Sequence, residues 1–127
     1  DMDMSVILII VILLAFVAWA SWNYWRVRRA AKFLDNESFQ KEMSRGQLID
    51  IREAGAFHRK HILGARNIPA SQFKVALSAL RKDKPVLLYD ASRGQSIPRI
   101  VLLLRKEGFN QLYVLKDGFN YWTGRVK

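Results

Sequence analysis

The chain has 127 residues, enough for one domain with at most a small appendage. It contains no cysteine, which excludes disulfides, cysteine-ligated zinc sites and thiol-based catalysis. The net charge of +10 favours an anionic partner. Because neither an arginine-rich recognition helix nor an aromatic RNA-binding strand motif is present, we expect an anionic membrane face rather than nucleic acid.

An uncharged apolar run opens the chain at residues 4–20 and continues through an aromatic segment to Trp25. About 20 such residues, at a rise of 1.5 Å each, extend over roughly 30 Å, which is the thickness of a bilayer core. The run therefore predicts a single transmembrane helix over residues 4–25. Aromatic residues cluster at its C-terminal end, as in a membrane-interface belt: Trp19, Trp22, Tyr24 and Trp25.

Charges on the two flanks predict the orientation of this helix. Asp1 and Asp3 precede the apolar run. Basic residues follow it at once: Arg26, Arg28, Arg29 and Lys32. Because basic flanks stay in the cytoplasm, we expect a single-pass protein of the cell membrane with its N-terminus outside and its domain cytoplasmic. A cleaved signal peptide is the alternative, since residues 18–20 resemble a cleavage site, but no positive charge precedes the run.

A basic linker over residues 26–33 is predicted to lead into one domain over residues 34–124. Helix starts are expected where Asp, Asn or Ser can cap a first turn: at Asp35 or Asn36, at Ser71 and at Ser96. Extended segments are expected at residues 47–51, 62–68, 86–89 and 112–115. Helices and strands that alternate with short connections predict an α/β fold with a mostly parallel sheet.

The loop over residues 90–95 is the first candidate for a functional site. It follows residues 86–89, whose continuous apolar sequence is typical of a strand buried in a parallel sheet. Ligands of open parallel sheets bind at the carboxyl ends of the strands. The pattern of the sequence therefore indicates this loop before any family is considered.

Three ordered motifs resemble the rhodanese family. They are residues 50–53 (Asp-Ile-Arg-Glu, like its Asp-x-Arg), residues 61–69 (His-Ile-Leu-Gly-Ala-Arg-Asn-Ile-Pro, like its Gly-His-Ile-x-Gly-Ala-x-Asn-Ile-Pro) and residues 115–118 with Trp122 (like its Gly-Gly-x-x-x-Trp). Lys60 and Asp117 each stand in place of a family glycine. The resemblance extends over residues 34–124. It implies a rhodanese-like fold, with a small parallel sheet flanked by helices, and sulfur transfer through a catalytic cysteine.

The loop itself departs from the family pattern Tyr-Cys-x-x-Gly-x-Arg-Ser. After Tyr89 it consists of Asp90, Ala91, Ser92, Arg93, Gly94, Gln95 and Ser96. Asp90 stands in the place of the family cysteine, Gly94 is displaced by one position, and Gln95 replaces the arginine. A persulfide requires a thiolate, which a carboxylate cannot replace. We therefore expect no sulfurtransferase activity and assign no catalytic residue.

Asp90 has two alternative roles. An aspartyl nucleophile usually works with Mg²⁺ and further carboxylates, and no acidic cluster accompanies Asp90 in the sequence. The simpler interpretation is a loop cap, in which the carboxylate accepts hydrogen bonds from the amides of Ser92, Arg93 or Gly94. Arg93 is the loop residue that we expect to contact a partner or an anion.

The remaining candidates are interpreted as structural. Asp50 and Arg52 are expected to form a polar pair that braces the fold, and Trp122 is expected to be a packing residue. His61 is expected to make a structural hydrogen bond. His58 and His61 lie three residues apart but have no evident third ligand, so that neither a metal nor a cofactor is expected.

Two functions compete. The first is a membrane-anchored, catalytically inactive rhodanese-like protein that serves as a docking or regulatory module, or as an accessory subunit, of a membrane protein complex. It would have a membrane-protein partner and contact anionic lipid. The alternative is an anion-binding sensor, or an enzyme with non-cysteine chemistry, at residues 90–96. A sulfurtransferase completed by a partner's cysteine is a third hypothesis.

Overall fold

A computed structural model describes residues 3–127. Its first element, helix α1, runs over Met4–Ala30, and the carboxylate of Asp3 caps it by accepting a hydrogen bond from the Val6 amide at 3.0 Å. Every residue from 4 to 19 is exposed. Of the helices in residues 3–127, α1 is the one that is long and apolar enough to cross a bilayer. Asp1, which contributes to the predicted orientation, lies outside the described residues.

The domain is built on a parallel sheet of five strands in the order β1-β5-β4-β2-β3. The strands are β1 Lys32–Leu34, β2 Gln47–Asp50, β3 Arg66–Asn67, β4 Val86–Tyr89 and β5 Leu112–Leu115. Strand β4 is central and wholly buried. The α/β fold with a parallel sheet is therefore confirmed.

Helices cover both faces of the sheet, because alternate side chains of each strand point to opposite sides. The other helices are α2 Asn36–Met43, α3 Ala54–Arg59 and α4 Ser96–Lys106. Leu87 and Tyr89 of β4 pack with Phe39 of α2 in one apolar cluster. Val86 and Leu88 belong to the other cluster, with the buried face of α4.

Residues 26–33 are not a linker. Helix α1 continues through them to Ala30, and both Val27 and Ala31 are buried in the same apolar cluster as α4. Strand β1 then pairs with β5, with Lys32 opposite Tyr113. The segment packs on the domain because it has an apolar side between its basic residues. Val27 and Ala31 are four positions apart, which places them on the same side of the helix. Helix α1 and the domain are thus one continuous packed structure.

Three local expectations were wrong. The helix expected from Ser71 is replaced by two short 3₁₀ turns, Ala70–Gln72 and Leu77–Ala79, and Phe73 and Leu80 of this segment are buried. The extended segment 62–68 is a strand only at Arg66–Asn67, because Ile62 pairs instead with Val126. Ser96 does not cap α4: it is the first helical residue, and Gln95 holds the cap position without a side-chain hydrogen bond.

The helix start at Asp35 is confirmed. Its carboxylate accepts a hydrogen bond from the Ser38 amide at 2.8 Å and caps α2. This bond lowers the pKa of Asp35, because it is made to the ionised form.

Candidate functional site

The loop over residues 90–95 lies at the carboxyl end of the central strand β4 and leads into α4. Because β4 is buried on both sides, its end is fixed against β2, where Tyr89 lies opposite Asp50. The loop therefore occupies the edge of the sheet at which parallel α/β folds bind ligands.

The beginning of the loop is fastened to the turn after β5. The carbonyl of Asp90 accepts a hydrogen bond from the Phe119 amide at 2.8 Å, and the carbonyl of Ala91 accepts one from the Asn120 amide at 2.9 Å. Gly118 makes this approach possible. Its φ is +83°, and a Cβ there would lie 2.6 Å from the Ala91 carbonyl oxygen.

The carboxylate of Asp90 lies within the loop. Oδ1 accepts a hydrogen bond from the Ala91 amide at 2.7 Å, and Oδ2 is only 3.2 Å from where a Cβ on Gly94 would be. The expected hydrogen bonds from the amides of 92–94 are not formed, so that part of the prediction was wrong. The backbone amides of residues 92–95 donate no hydrogen bond to any residue that the structure describes.

Arg93 is exposed at the tip of the loop and pairs with Asp117, with 2.9 Å between the guanidinium and carboxylate atoms. Ion pairs as exposed as this one contribute little to stability, because solvent screens them. Arg93 is therefore positioned by Asp117 without being locked there, and its guanidinium can exchange partners at low cost.

A buried ion pair lies beneath the loop. Asp50 is completely buried, and Arg52 binds its carboxylate through two nitrogens, the shorter contact being 2.6 Å. Burial alone would lower the pKa of Arg52, but the hydrogen bonds to Asp50 outweigh it and raise that pKa. The guanidinium also lies over the Phe119 ring, 4.2 Å from its centroid. The predicted bracing pair is thus confirmed, and it supports the turn that holds the loop.

Tyr89 and His61 are also part of the framework. Burial raises the pKa of Tyr89, as does the nearby Asp50 carboxylate, and the phenol oxygen accepts a hydrogen bond from the buried Ile62 amide at 3.1 Å. The His61 ring stacks on Phe57, and its Nδ1 donates to the Phe57 carbonyl at 2.8 Å. The structural hydrogen bond expected of His61 is confirmed.

Neither the histidines nor Trp122 join the loop. Trp122 packs edge-on against Phe39, with ring centroids 6.2 Å apart, as its interpretation as a packing residue requires. In residues 3–127 no three histidine or acidic side chains converge on a position that would suit a metal ion.

Comparison with known proteins gives the family. The model of the rhodanese-like domain family matches residues 35–125. The chain belongs to the rhodanese-like family. The uncharacterized protein YqhL of Bacillus subtilis is 46% identical over 99 residues, which are 78% of each chain. The thiosulfate sulfurtransferase GlpE of Coxiella burnetii is 28% identical over 75 residues, which are 59% of this chain and 69% of that protein.

A solved structure shows the same fold. The crystal structure of a rhodanese-related protein from Thermoplasma volcanium superposes on this rhodanese-like chain with a TM-score of 0.68 at 21% identity. The match covers 76% of this chain and 97% of the other. At this identity the likeness establishes the fold of the rhodanese-like domain and nothing about its chemistry.

Sequence reasoning missed a groove beside the loop of the rhodanese-like domain. Residues 92–94 form one side of it, and α1 forms the other, with a volume of about 390 Å³ between them. The expected linker had separated the helix from the domain, which is why this contact could not be anticipated. Two apolar residues among the basic ones, Val27 and Ala31, could have indicated that the end of the helix packs on the domain.

Proposed function

We propose that this chain is a membrane-anchored, catalytically inactive rhodanese-like protein that acts as a docking or regulatory module of a membrane protein complex at the cytoplasmic face. The observation that carries this proposal is the carboxylate of Asp90, which lies inside the loop at the end of β4 in a chain of 127 residues without cysteine. The Coxiella burnetii relative is named a sulfurtransferase, but sulfane sulfur must be carried on a thiolate.

Helix α1 supports the membrane part of the proposal. Its exposed residues 4–19 have no protein surface to cover them within residues 3–127, and their apolar side chains are suited to lipid. Basic residues at its C-terminal end favour a cytoplasmic domain and an external N-terminus. A cleaved signal peptide fits less well, since no positive charge precedes the apolar run.

The rigid junction supports docking to a membrane protein. Because α1 runs without interruption into the packed core, the loop is held at a fixed height close to the bilayer surface. A soluble partner would have no use for such a constraint, whereas a membrane-embedded partner presents its cytoplasmic loops at that height. Residues 92–95 of the loop are exposed, and Ser92 and Arg93 are the two that we expect such a partner to contact.

Native electrophoresis of solubilised membranes tests this proposal. The full chain should migrate in a complex larger than itself, and Arg93→Glu should release it. Lys41→Glu, a charge reversal of equal size on the exposed surface of α2, should leave the complex intact. A chain that migrates alone, or a complex that both variants disturb equally, would contradict docking through the loop.

Anion binding at the loop is the second candidate, and one observation favours it. The amides of residues 92–95, next to the first turn of α4, have no hydrogen-bond acceptor in the part of the chain that the structure describes. Calorimetric titration of the full chain with sulfate, phosphate and thiosulfate distinguishes the candidates. Saturable binding that Arg93→Ala abolishes would favour a sensor, whereas the docking function requires no such binding.

A further inference from the structure

The groove between α1 and the loop combines an apolar half and a cationic half. Its apolar half is lined by Trp19, Ala20 and Val27 of α1 and by Ile97 at the start of α4. Arg28, Arg93 and Lys116 line the other half, and no acidic side chain belongs to the lining. A ligand that fits this groove must be apolar at one end and anionic at the other.

Two aromatic rings hold the guanidinium of Arg28 in place. Its guanidinium lies 4.6 Å from the centre of the Phe33 ring and 5.6 Å from the centre of the Tyr24 ring. Cation–π contacts of this kind position an arginine while leaving its edge free to donate hydrogen bonds. Lys116 is exposed, and within residues 3–127 Arg93 pairs with the partly exposed carboxylate of Asp117. All three cations can therefore receive an anion.

The position of the groove along α1 matches the membrane interface. Trp19 and Arg28 are nine residues apart, so that about 14 Å of helix separates the apolar end from the cationic end. If the helix spans the bilayer from Met4, the first of these residues lies at the depth of the acyl chains. The second then lies among the headgroups. A phospholipid changes from apolar to anionic over the same interval.

We propose that this groove binds one acidic glycerophospholipid, such as a phosphatidylglycerol, with its phosphate between Arg28 and Lys116 and an acyl chain beside Trp19 and Ala20. The inference rests on the membrane anchoring proposed above. The loop of the rhodanese-like fold then forms one wall of a lipid site.

Fluorescence quenching in vesicles tests the site. The full chain, with Trp22 and Trp25 changed to Phe, is placed in phosphatidylcholine vesicles that contain a minor fraction of phosphatidylglycerol. Two preparations are compared: in one the phosphatidylglycerol carries bromine, and in the other an equal fraction of the phosphatidylcholine carries it. Trp19 lines the groove, and the other remaining tryptophan, Trp122, packs on Phe39 in the domain. Brominated phosphatidylglycerol should quench Trp19 at least fivefold more effectively, since each cation near an anionic membrane surface favours the acidic lipid about fivefold.

Two matched double variants give the control. Arg28→Gln with Lys116→Gln should abolish the preference for phosphatidylglycerol. Arg26→Gln with Arg29→Gln removes the same charge from a different concavity of α1, beside Trp22 and Trp25, and should retain most of the preference. Soluble glycerol phosphate should not displace the lipid.

Three outcomes would overturn the lipid site alone, provided that the chain still floats with the vesicles after carbonate washing. They are equal quenching by the two brominated lipids, an equal loss of preference in the two double variants, and displacement by soluble glycerol phosphate. Failure to float would overturn the anchoring as well, so that the two proposals fail in distinguishable ways.

Discussion

The carbonyl of Asp90 accepts a hydrogen bond from the amide of Phe119 across 2.8 Å, and this bond joins the loop after β4 to the turn after β5. Phe119 in turn lies under the guanidinium of Arg52, which is bound to the buried Asp50. The loop is thus supported from below by a closed chain of contacts. A scaffold of this kind preserves the shape of the loop whether or not it performs chemistry.

Gly118→Ala should destabilise the fold by about 3 kcal/mol, because it combines an unfavourable φ with an overlap between the new Cβ and the Ala91 carbonyl oxygen. The measurement is denaturant unfolding of the full chain in detergent, followed by near-ultraviolet circular dichroism. Gly64→Ala is the matched control, since its φ is +92° but nothing lies within 4 Å of its Cβ position. A smaller effect at position 118 than at position 64 would show that the loop does not rest on this turn.

Arg52→Met should cost about 3 to 5 kcal/mol, because it leaves the buried Asp50 carboxylate without its partner. Adding Asp50→Asn to that variant should restore part of the loss, since the uncompensated charge is removed. Arg81→Met, which breaks an exposed pair with Asp83, serves as the comparison and should have little effect. Equal costs for the buried and exposed pairs, by the same unfolding measurement, would refute the bracing role.

Val27→Ala should loosen the junction between α1 and the domain. Val27 is buried in the cluster shared with α4, so that shortening it costs about 2 kcal/mol. The junction then unfolds locally more often, and trypsin cleaves faster after Arg28 and Arg29, whose side chains are already exposed. Limited proteolysis in vesicles measures the cleavage rate. Val75→Ala, at a side chain that is 83% exposed, should leave the rate unchanged. An unchanged rate in Val27→Ala would mean that the helix and the domain are not rigidly joined.

Asp90→Cys should fail to produce sulfurtransferase activity, even though it introduces the missing thiol. Gly94 and Gln95 also depart from the family pattern, and the loop would still lack the arginine. The assay is thiosulfate:cyanide turnover by the purified full chain, with Asp90→Ser as the variant of similar size without a thiol. Robust turnover by the cysteine variant alone would show that the loop still supports sulfur transfer despite the changes at Gly94 and Gln95.

The cap of α2 should make stability depend on pH in the acidic range. The hydrogen bond from the Ser38 amide holds the pKa of Asp35 below its ordinary value. The folded state therefore binds this proton less readily than the unfolded state, and the contribution is present above about pH 4 and lost below it. Asp35→Asn, which can still accept the hydrogen bond, should lose less stability than the native chain between pH 5 and pH 3. Parallel pH curves for the two proteins would exclude this role.

The parallel sheet could be predicted from the sequence because its signals are local. Residues 86–89 are apolar throughout, as a central parallel strand must be, and the cap at Asp35 has the residue type that such a position favours. The pair of Asp50 and Arg52 could be recognised from the family motif. Each of these features is contained within a few neighbouring residues.

The junction and the groove could not be predicted, because they depend on contacts between distant residues. Arg26, Arg28 and Arg29 suggested a solvated linker, whereas Val27 between them is buried against α4. The carboxylate of Asp90 likewise accepts a hydrogen bond from the Ala91 amide and not from the amides of 92–94. The shape of the loop depends on the turn at Gly118, more than 20 residues away in the sequence. Local patterns indicate the elements but not the tertiary contact that decides between two local structures.

Photo-crosslinking in native membranes tests the proposed docking through the loop over residues 90–95 most directly. A probe at Ser92 lies on the loop, and a probe at Lys41 lies on the exposed surface of α2. We expect a discrete membrane-protein adduct from Ser92, none from Lys41, and loss of the adduct in Arg93→Glu. Identical adducts from both positions, or an adduct from Lys41 alone, would contradict the loop as the docking surface.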